Sequence, residues 1–338
     1  MKALFFILTF VVISTAIWQF FKILGLTKKE QISTENENNI NGWLMLGLGG
    51  FIYSLMLYSM YQGKIVLLPK LSASTEGEHI DKLFMITMTL IFIVQFITQF
   101  LIYFFTFKYR GIKGRKATFY ADSHKLEMWW TVTPTVVLAG LIFYGLWTWN
   151  NVMDTSVAED PLVIEVYAKQ FQWEARYAGD DNQLGMANVR NIKGINTMGV
   201  DMTDKNAKDD IPVRELHLPK GRKVIFKFRS QDVLHSAYMP HFRAQMNCVP
   251  GMVTSFGFTP SVTTLEMRKN EDTKEKFEAI NVLREEKGED PVEFDYILLC
   301  NKICGSSHYS MQMKIIVEEE AEFNQWLKQQ KTLAQVIQ

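Results

Sequence analysis

The sequence is short of cysteine, of net charge and of repeats. Only three Cys occur in 338 residues, too few for a fold stapled by disulfides. No Cys-x-x-Cys-His is present, so no c-type haem is attached covalently. The 36 Lys/Arg and 36 Asp/Glu cancel, which argues against a nucleic-acid-binding protein. No internal repeat is visible, so solenoids and propellers are excluded. Polar low-complexity is absent too: 48% of residues are hydrophobic and 13% aromatic, too rich for a disordered chain.

What charge there is lies unevenly. Residues 1–150 hold 13 Lys/Arg against 8 Asp/Glu, and residues 151–338 hold 23 against 28. The first part has four apolar stretches long enough to cross a bilayer, at about 20 residues each. They run over 3–26, 42–63, 83–107 and 128–153. Pro134 in the fourth is tolerable, because neighbouring helices re-satisfy a freed carbonyl. Trp129, Trp130, Trp147 and Trp149 mark its two ends as an aromatic belt.

Basic residues in short loops set the orientation. Lys108, Arg110, Lys113, Arg115, Lys116 and Lys125 place the third loop in the cytoplasm, together with Lys22, Lys28 and Lys29. The far side carries Lys2, Lys64, Lys70 and Lys82. Residues 154–338 are thereby delivered outside. The first stretch, with Ser14-Thr15-Ala16, also reads as a cleaved signal peptide. Cleavage would put the basic 108–125 loop outside, so an uncleaved first helix is expected.

After Asp154 the apolar pattern switches to period two. Strands are predicted over 163–167, 171–177, 214–218, 223–228, 254–258 and 313–317, a pattern that points to a β-sandwich. Two polar segments, 178–212 and 266–291, read as insertions, with a surface helix expected over 274–286. The tail after Glu318 reads as weakly helical. Cys248 is expected to be a small buried residue. His79, His124, His217 and His241 are expected in loops or on the surface.

The chemistry concentrates in Cys300-Asn-Lys-Ile-Cys304-Gly-Ser-Ser-His308-Tyr-Ser-Met311. Thiolate, imidazole and thioether are soft ligands that select copper over magnesium or calcium. One Cys with His and Met would hold a single copper; two thiolates can each bridge two metals, which favours a dinuclear centre. Such a pair spreads one electron over two ions and suits electron transfer. His235, in Asp232-Val-Leu-His-Ser236 after a predicted strand, is a candidate for the missing second nitrogen. A disulfide between Cys300 and Cys304, or half a zinc site, remain the bland alternatives.

This loop, with 232–236, His124-Lys-Leu-Glu-Met-Trp-Trp-Thr-Val-Thr-Pro134, Glu215-Leu-His-Leu-Pro-Lys-Gly221 and Val249-Pro-Gly251, resembles subunit II of cytochrome c oxidase, in the haem–copper oxidase superfamily. The resemblance spans roughly residues 80–320. It implies an N-terminal transmembrane α-helical half and an extracytoplasmic, all-β, cupredoxin-like Greek-key sandwich. The corresponding layout is two extra helices over 1–63, a transmembrane hairpin over 80–153 and a copper A domain over 154–338. By motif position Cys300 and Cys304 bridge two coppers, His235 and His308 are terminal imidazoles, and Met311 and the backbone carbonyl of Lys302 complete the spheres. Electrons would enter from a separate c-type cytochrome and pass to haem in subunit I, where oxygen is reduced. Glu127 resembles the glutamate at the mouth of the K proton pathway.

The chain departs from the family in places. Lys302 stands where a magnesium-binding Glu is usual, which puts that metal site in doubt. Phe171 stands at the electron-entry tryptophan, with Trp173 two residues on, and an exposed aromatic patch is expected there. Spans one and two lie outside the usual hairpin and imply a further membrane partner. The expected location is the inner membrane, with the C-terminal domain in the periplasm. The rival from another class is a membrane-tethered copper chaperone or store.

Overall fold

The computed structural model describes residues 2–26, 33–62, 71–117, 119–154 and 160–337. Lys28, Lys29, Lys64 and Lys70 of the loop argument lie outside the described residues, as does the side chain of Lys2. The chain divides into two compact units, Met1–Ile65 with Thr87–Thr135, and Val66–Ile86 with Val136–Gln338.

Among the described residues four helices are long and apolar enough to cross a membrane: α1 (Lys2–Leu26), α2 (Glu35–Gln62), α3 (Thr75–Lys108) and α4 (His124–Met153). α2 and α3 begin well before their apolar runs. Glu35 and Glu37 lie in the first turn of α2, and Glu76 and Glu78 in that of α3, where acid complements the helix dipole. In the first unit small residues let α2 approach α3 closely, as membrane helices do. A Cβ at Gly49 would stand 2.5 Å from the Tyr103 ring, and one at Gly42 2.8 Å from Arg110. Beside these contacts Tyr53 donates to the Phe96 carbonyl at 2.7 Å and Arg110 to Asn39 Oδ1 at 2.7 Å.

The second unit is a sandwich of two five-stranded sheets. One runs β3-β2-β1-β5-β8: β3 (Ile211–Val213), β2 (Gln172–Tyr177), β1 (Leu162–Lys169), β5 (Val224–Ser230), β8 (Thr254–Phe258). The other runs β4-β10-β9-β6-β7: β4 (Leu216–Pro219), β10 (Gln312–Glu318), β9 (Tyr296–Cys300), β6 (His235–Met239), β7 (Ala244–Cys248). Ile164, Val166, Phe226, Phe228 and Phe258 from the first sheet meet Leu216, Tyr296, Leu298 and Ile315 from the second, forming one core. The segment leading into α3 is tied to this sandwich. Lys223 pairs with Glu76 at 2.6 Å, Arg243 grips Asp81 through two bonds of 2.8 Å, and Ala73 N–H donates to the His241 carbonyl at 2.8 Å.

All six predicted strands form. Four more, β3, β6, β7 and β9, escape the alternation rule. β9 reads Tyr-Ile-Leu-Leu-Cys, a continuous apolar run, and β7 is mostly polar in sequence. Segment 178–212 crosses from β2 to β3, whose first residues it includes. Segment 266–291 carries most of α5 (Thr264–Lys269) and all of α6 (Glu271–Glu285), and the tail forms α7 (Glu320–Gln329) and α8 (Leu333–Ile337).

Two histidines differ from expectation. His217 is 5% exposed on β4; its ring stacks on Trp326 at 3.9 Å and bonds Glu318 at 3.0 Å. His241 is half-buried in the 3-10 turn Pro240–Phe242, edge-on to Phe294 and Tyr296. Both are amphipathic rings that the α7 and β9 packing covers, which a loop-based reading misses. Burial, then the charges of Lys276 and Arg243, push the His241 imidazole down from 6.5 to about 4. Its stabilising contribution is present above pH 6.5 and is lost as pH falls through about 4, because the unfolded chain takes up the proton first. His241→Phe should therefore flatten the loss of thermal stability across that window in a melting series against pH.

Candidate metal centre

The centre is assembled at one pole of the sandwich by strand pairing. Cys300 is the last residue of β9 and His235 the first of β6. β6 and β9 run antiparallel with Ala237 opposite Cys300, and Asn301 N–H donates to the Ser236 carbonyl at 2.9 Å. On the other side of β9, Cys300 N–H donates to the Met311 carbonyl at 3.1 Å, which puts Met311 level with Cys300 just before β10. The eleven-residue connection between β9 and β10 folds over as a 3-10 turn at His308–Ser310, carrying Cys304 and His308 back to the strand ends. His235 is expected at the end of a strand that follows the one over 223–228. Instead β5 stops at Ser230, and His235 opens a strand of the opposite sheet.

The donor atoms converge. Cys300 Sγ lies 3.7 Å from His235 Nδ1, 3.9 Å from Cys304 Sγ and 3.2 Å from the Lys302 carbonyl. Cys304 Sγ lies 3.5 Å from His308 Nδ1 and 3.9 Å from Met311 Sδ. Bonds of about 2.3 Å to sulfur and about 2.0 Å to nitrogen at a four-coordinate metal give donor separations of about 3.5–3.8 Å. The sulfur–nitrogen and sulfur–sulfur spacings, 3.5 to 3.9 Å, lie close to such coordination edges. Each cysteine faces its own imidazole, Cys300 that of His235 and Cys304 that of His308, with the two sulfurs side by side between them. A disulfide is not formed, since a sulfur–sulfur bond is about 2.0 Å long. The donors are also shielded: His235 is fully buried, and Cys300, Cys304 and Met311 are 9%, 5% and 1% exposed. Burial, then the neighbouring Cys300 sulfur, push the Cys304 thiol up to about 11, the direction a metal would reverse by displacing the proton.

A carboxylate fixes the His235 ring. Asp232 Oδ1 lies 2.9 Å from His235 Nε2 and accepts from Val233 N–H at 2.7 Å; Oδ2 accepts from Gln170 N–H at 2.7 Å. Burial works against its charge, but these bonds outweigh it and hold Asp232 below its ordinary value. With Nε2–H donating to Asp232, the lone pair of Nδ1 points at the sulfurs. Gly305 adopts φ +145°, and a Cβ there would meet the Phe171 ring at 2.8 Å, so only glycine lets the loop close.

The structure brings together His235, Cys300, the Lys302 carbonyl, Cys304, His308 and Met311. The Lys302 side chain points into an exposed stretch that also carries Ile303, 88% exposed. Phe171 is half-buried over Gly305, at the edge of the centre. Trp173 corrects the expectation of an exposed patch: it is 4% exposed and donates from Nε1 to the Met311 carbonyl at 3.4 Å. Phe171 lies in the turn at the hairpin tip, whereas Trp173 lies inside β2 on its core-facing side, where a large aromatic is retained by burial. Glu127 lies elsewhere, in the first turn of α4, with His124 at 3.9 Å. Sequence reasoning passed over Gln170, Gly305 and the role of Asp232. The Asp-x-x-His spacing was the available signal for Asp232. Cys248, opposite His235 in β7, is fully buried, and burial pushes its thiol up to about 12.

Comparison with known proteins bears on the same regions. A family model described as cytochrome C oxidase subunit II, transmembrane domain, matches residues 64–147. The alternative cytochrome c oxidase subunit 2 of Bradyrhizobium diazoefficiens is 36% identical over 230 residues, covering 68% of this chain and 72% of that protein. The cytochrome c oxidase subunit 2 of Alkalihalophilus pseudofirmus is 26% identical over 207 residues, covering 60% of this chain and 44% of its own length. Among solved structures, the periplasmic domain of subunit II of cytochrome oxidase (CoxB) of Bradyrhizobium japonicum covers 51% of this chain and 94% of its own, at 19% identity and a TM-score of 0.31.

Loss of a partner that orients a ligating histidine typically costs about 10–100-fold in metal affinity. Asp232→Ala should weaken copper binding by that order in a chelator-competition titration, with the melting temperature of the metal-free chain nearly unchanged.

Proposed function

This chain belongs to the cytochrome c oxidase subunit 2 family, and from that premise we propose that it is the electron-entry subunit of a terminal respiratory oxidase, working through a dinuclear copper centre. It is an oxidoreductase subunit and a membrane protein with an extracytoplasmic domain. The observation that carries the proposal is the paired donor set, two adjacent sulfurs with an imidazole facing each. His235, Cys300, Cys304 and the Lys302 carbonyl, with His308 and Met311, would hold the metals. A copper pair held so supplies a one-electron carrier.

The chain's own residues keep the reorganisation small. Cys300 is locked between two hydrogen-bonded strands, and Asp232 holds the His235 ring. Trp173 bonds the Met311 carbonyl, fixing the thioether end. These rigid donors suit an electron-transfer site, whereas a chaperone or store needs exposed, exchangeable ones. His308 is half-buried and Tyr309 is 87% exposed, so the His308 end is the open edge where a c-type cytochrome would approach, with Phe171 beside it. Electrons would then pass to haem in subunit I within the membrane. Glu127, at the start of α4 and 45% exposed at its side chain, would serve the mouth of the K proton pathway. The four helices would span the inner membrane, with α1 and α2 against a further membrane subunit.

Metal analysis and electron paramagnetic resonance of the purified full-length chain test this reading. Two coppers per chain and a seven-line mixed-valence signal are expected. Cys304→Ser should abolish the seven-line pattern by removing a bridge. One copper per chain, or a silent copper(I) form that no oxidant converts, would replace the proposal with the chaperone reading.

A further inference from the structure

One dipeptide contacts the groups that hold both the His235 and the Cys304 sides of the donor set. Gln170 and Phe171 form the tip of the β1–β2 hairpin, which belongs to the sheet opposite the one carrying Cys300 and His235. Gln170 N–H donates to Asp232 Oδ2 at 2.7 Å, and Asp232 in turn holds the His235 ring at 2.9 Å. Gln170 Nε2 donates to the Cys304 carbonyl at 2.5 Å. The Phe171 ring lies where a Cβ on Gly305 would be, 2.8 Å from its Cε1 and Cζ atoms.

The loop needs such a hold. Between Cys304 and Met311 its own backbone bonds are local turns: His308 N–H to the Gly305 carbonyl, Ser310 N–H to Ser307 and Met311 N–H to His308. Turns of that kind open readily when nothing else restrains them. The hairpin tip itself is well anchored, with Lys169 paired to Gln172 and Gln231 N–H donating to the Ala168 carbonyl at 2.9 Å.

We propose that Gln170 is a positioning residue: its side-chain amide pins the Cys304 end of the donor set while its backbone pins the His235 end, so that both are set at coordination distance before metal arrives. It touches no donor atom and acts through Asp232 and the Cys304 carbonyl. A copper-binding role for these donors is the reading on which the inference rests. Preorganisation of this kind lowers the ordering cost that binding would otherwise carry.

The test compares Gln170→Ala, Gln170→Glu and, as a control at an exposed hairpin position outside the clasp, Gln172→Ala, all in the full-length chain in detergent. The first readout is amide hydrogen exchange of residues 305–308 in copper-free protein. Gln170→Ala should speed exchange there roughly five- to tenfold, the scale of one lost hydrogen bond, and leave β5 and β9 unchanged. Gln170→Glu keeps the shape but offers only an acceptor to the Cys304 carbonyl, so it should behave like the alanine variant. A packing role would leave it like the parent chain. The second readout is the copper hyperfine pattern after loading, which should broaden or shift in both Gln170 variants and not in Gln172→Ala. Unchanged loop exchange in Gln170→Ala, or equal acceleration in the control, overturns the inference. The copper-free exchange does not depend on how many metals bind, so failure of the copper reading and failure of this one are separately visible.

Discussion

The pairing of β9 between β6 and β10 is the constraint from which the metal centre follows. An antiparallel neighbour on each side fixes Cys300 to within a hydrogen-bond register, and that register sets the separation of His235, Cys300 and Met311. Strand pairing is stiff because slipping it by one residue would turn every side chain to the other face. Leu298 would then leave the core, and the cysteine would leave the pole. The packing of the sandwich and the geometry of the centre are therefore one problem. The apolar side chains of β9 carry the energy, and the sulfur at its end inherits the precision.

The rest of the site is built around that fixed point by shorter-range devices. A glycine at φ +145° lets the loop turn back beneath Phe171. A carboxylate three residues before the first histidine sets its ring. A buried tryptophan bonds a backbone carbonyl next to the thioether. None of these groups would touch the metal, and each restricts a donor that would. Donors that barely move between two oxidation states are what an electron relay needs, and the same rigidity suits a store poorly. That rigidity is the property on which the proposed relay role would draw.

The distant polar clusters obey the ordinary rule that buried charge is paired. Arg176 is 2% exposed and bonds both Glu165 and Asp210, while Arg229 takes the second oxygen of Glu165. This network ties segment 178–212 to β1 and β2, so the segment is part of the sandwich rather than a loose appendage. His217, stacked on Trp326 between Glu215 and Glu318, fastens α7 to β4 in the same manner.

The sequence by itself determined the chemistry and the classes of structure. Apolar run length alone marks α1 to α4, because lipid tolerates no unsatisfied backbone. Period-two alternation marks six strands, and Cys-x3-Cys-x3-His-x2-Met marks the ligand loop, since donor softness is a property of residue type. Tertiary structure alone decided which residues serve that chemistry from afar. Gln170 is remote in sequence from Cys304 and has no periodic or compositional mark; only the meeting of two sheets at one pole makes it a neighbour. The same holds for Trp173 and His217, whose burial depends on what packs over them. β9 alternates in burial but not in sequence: its half-buried positions, Ile297 and Leu299, are as apolar as the buried ones, so residue type does not record which face the fold covers.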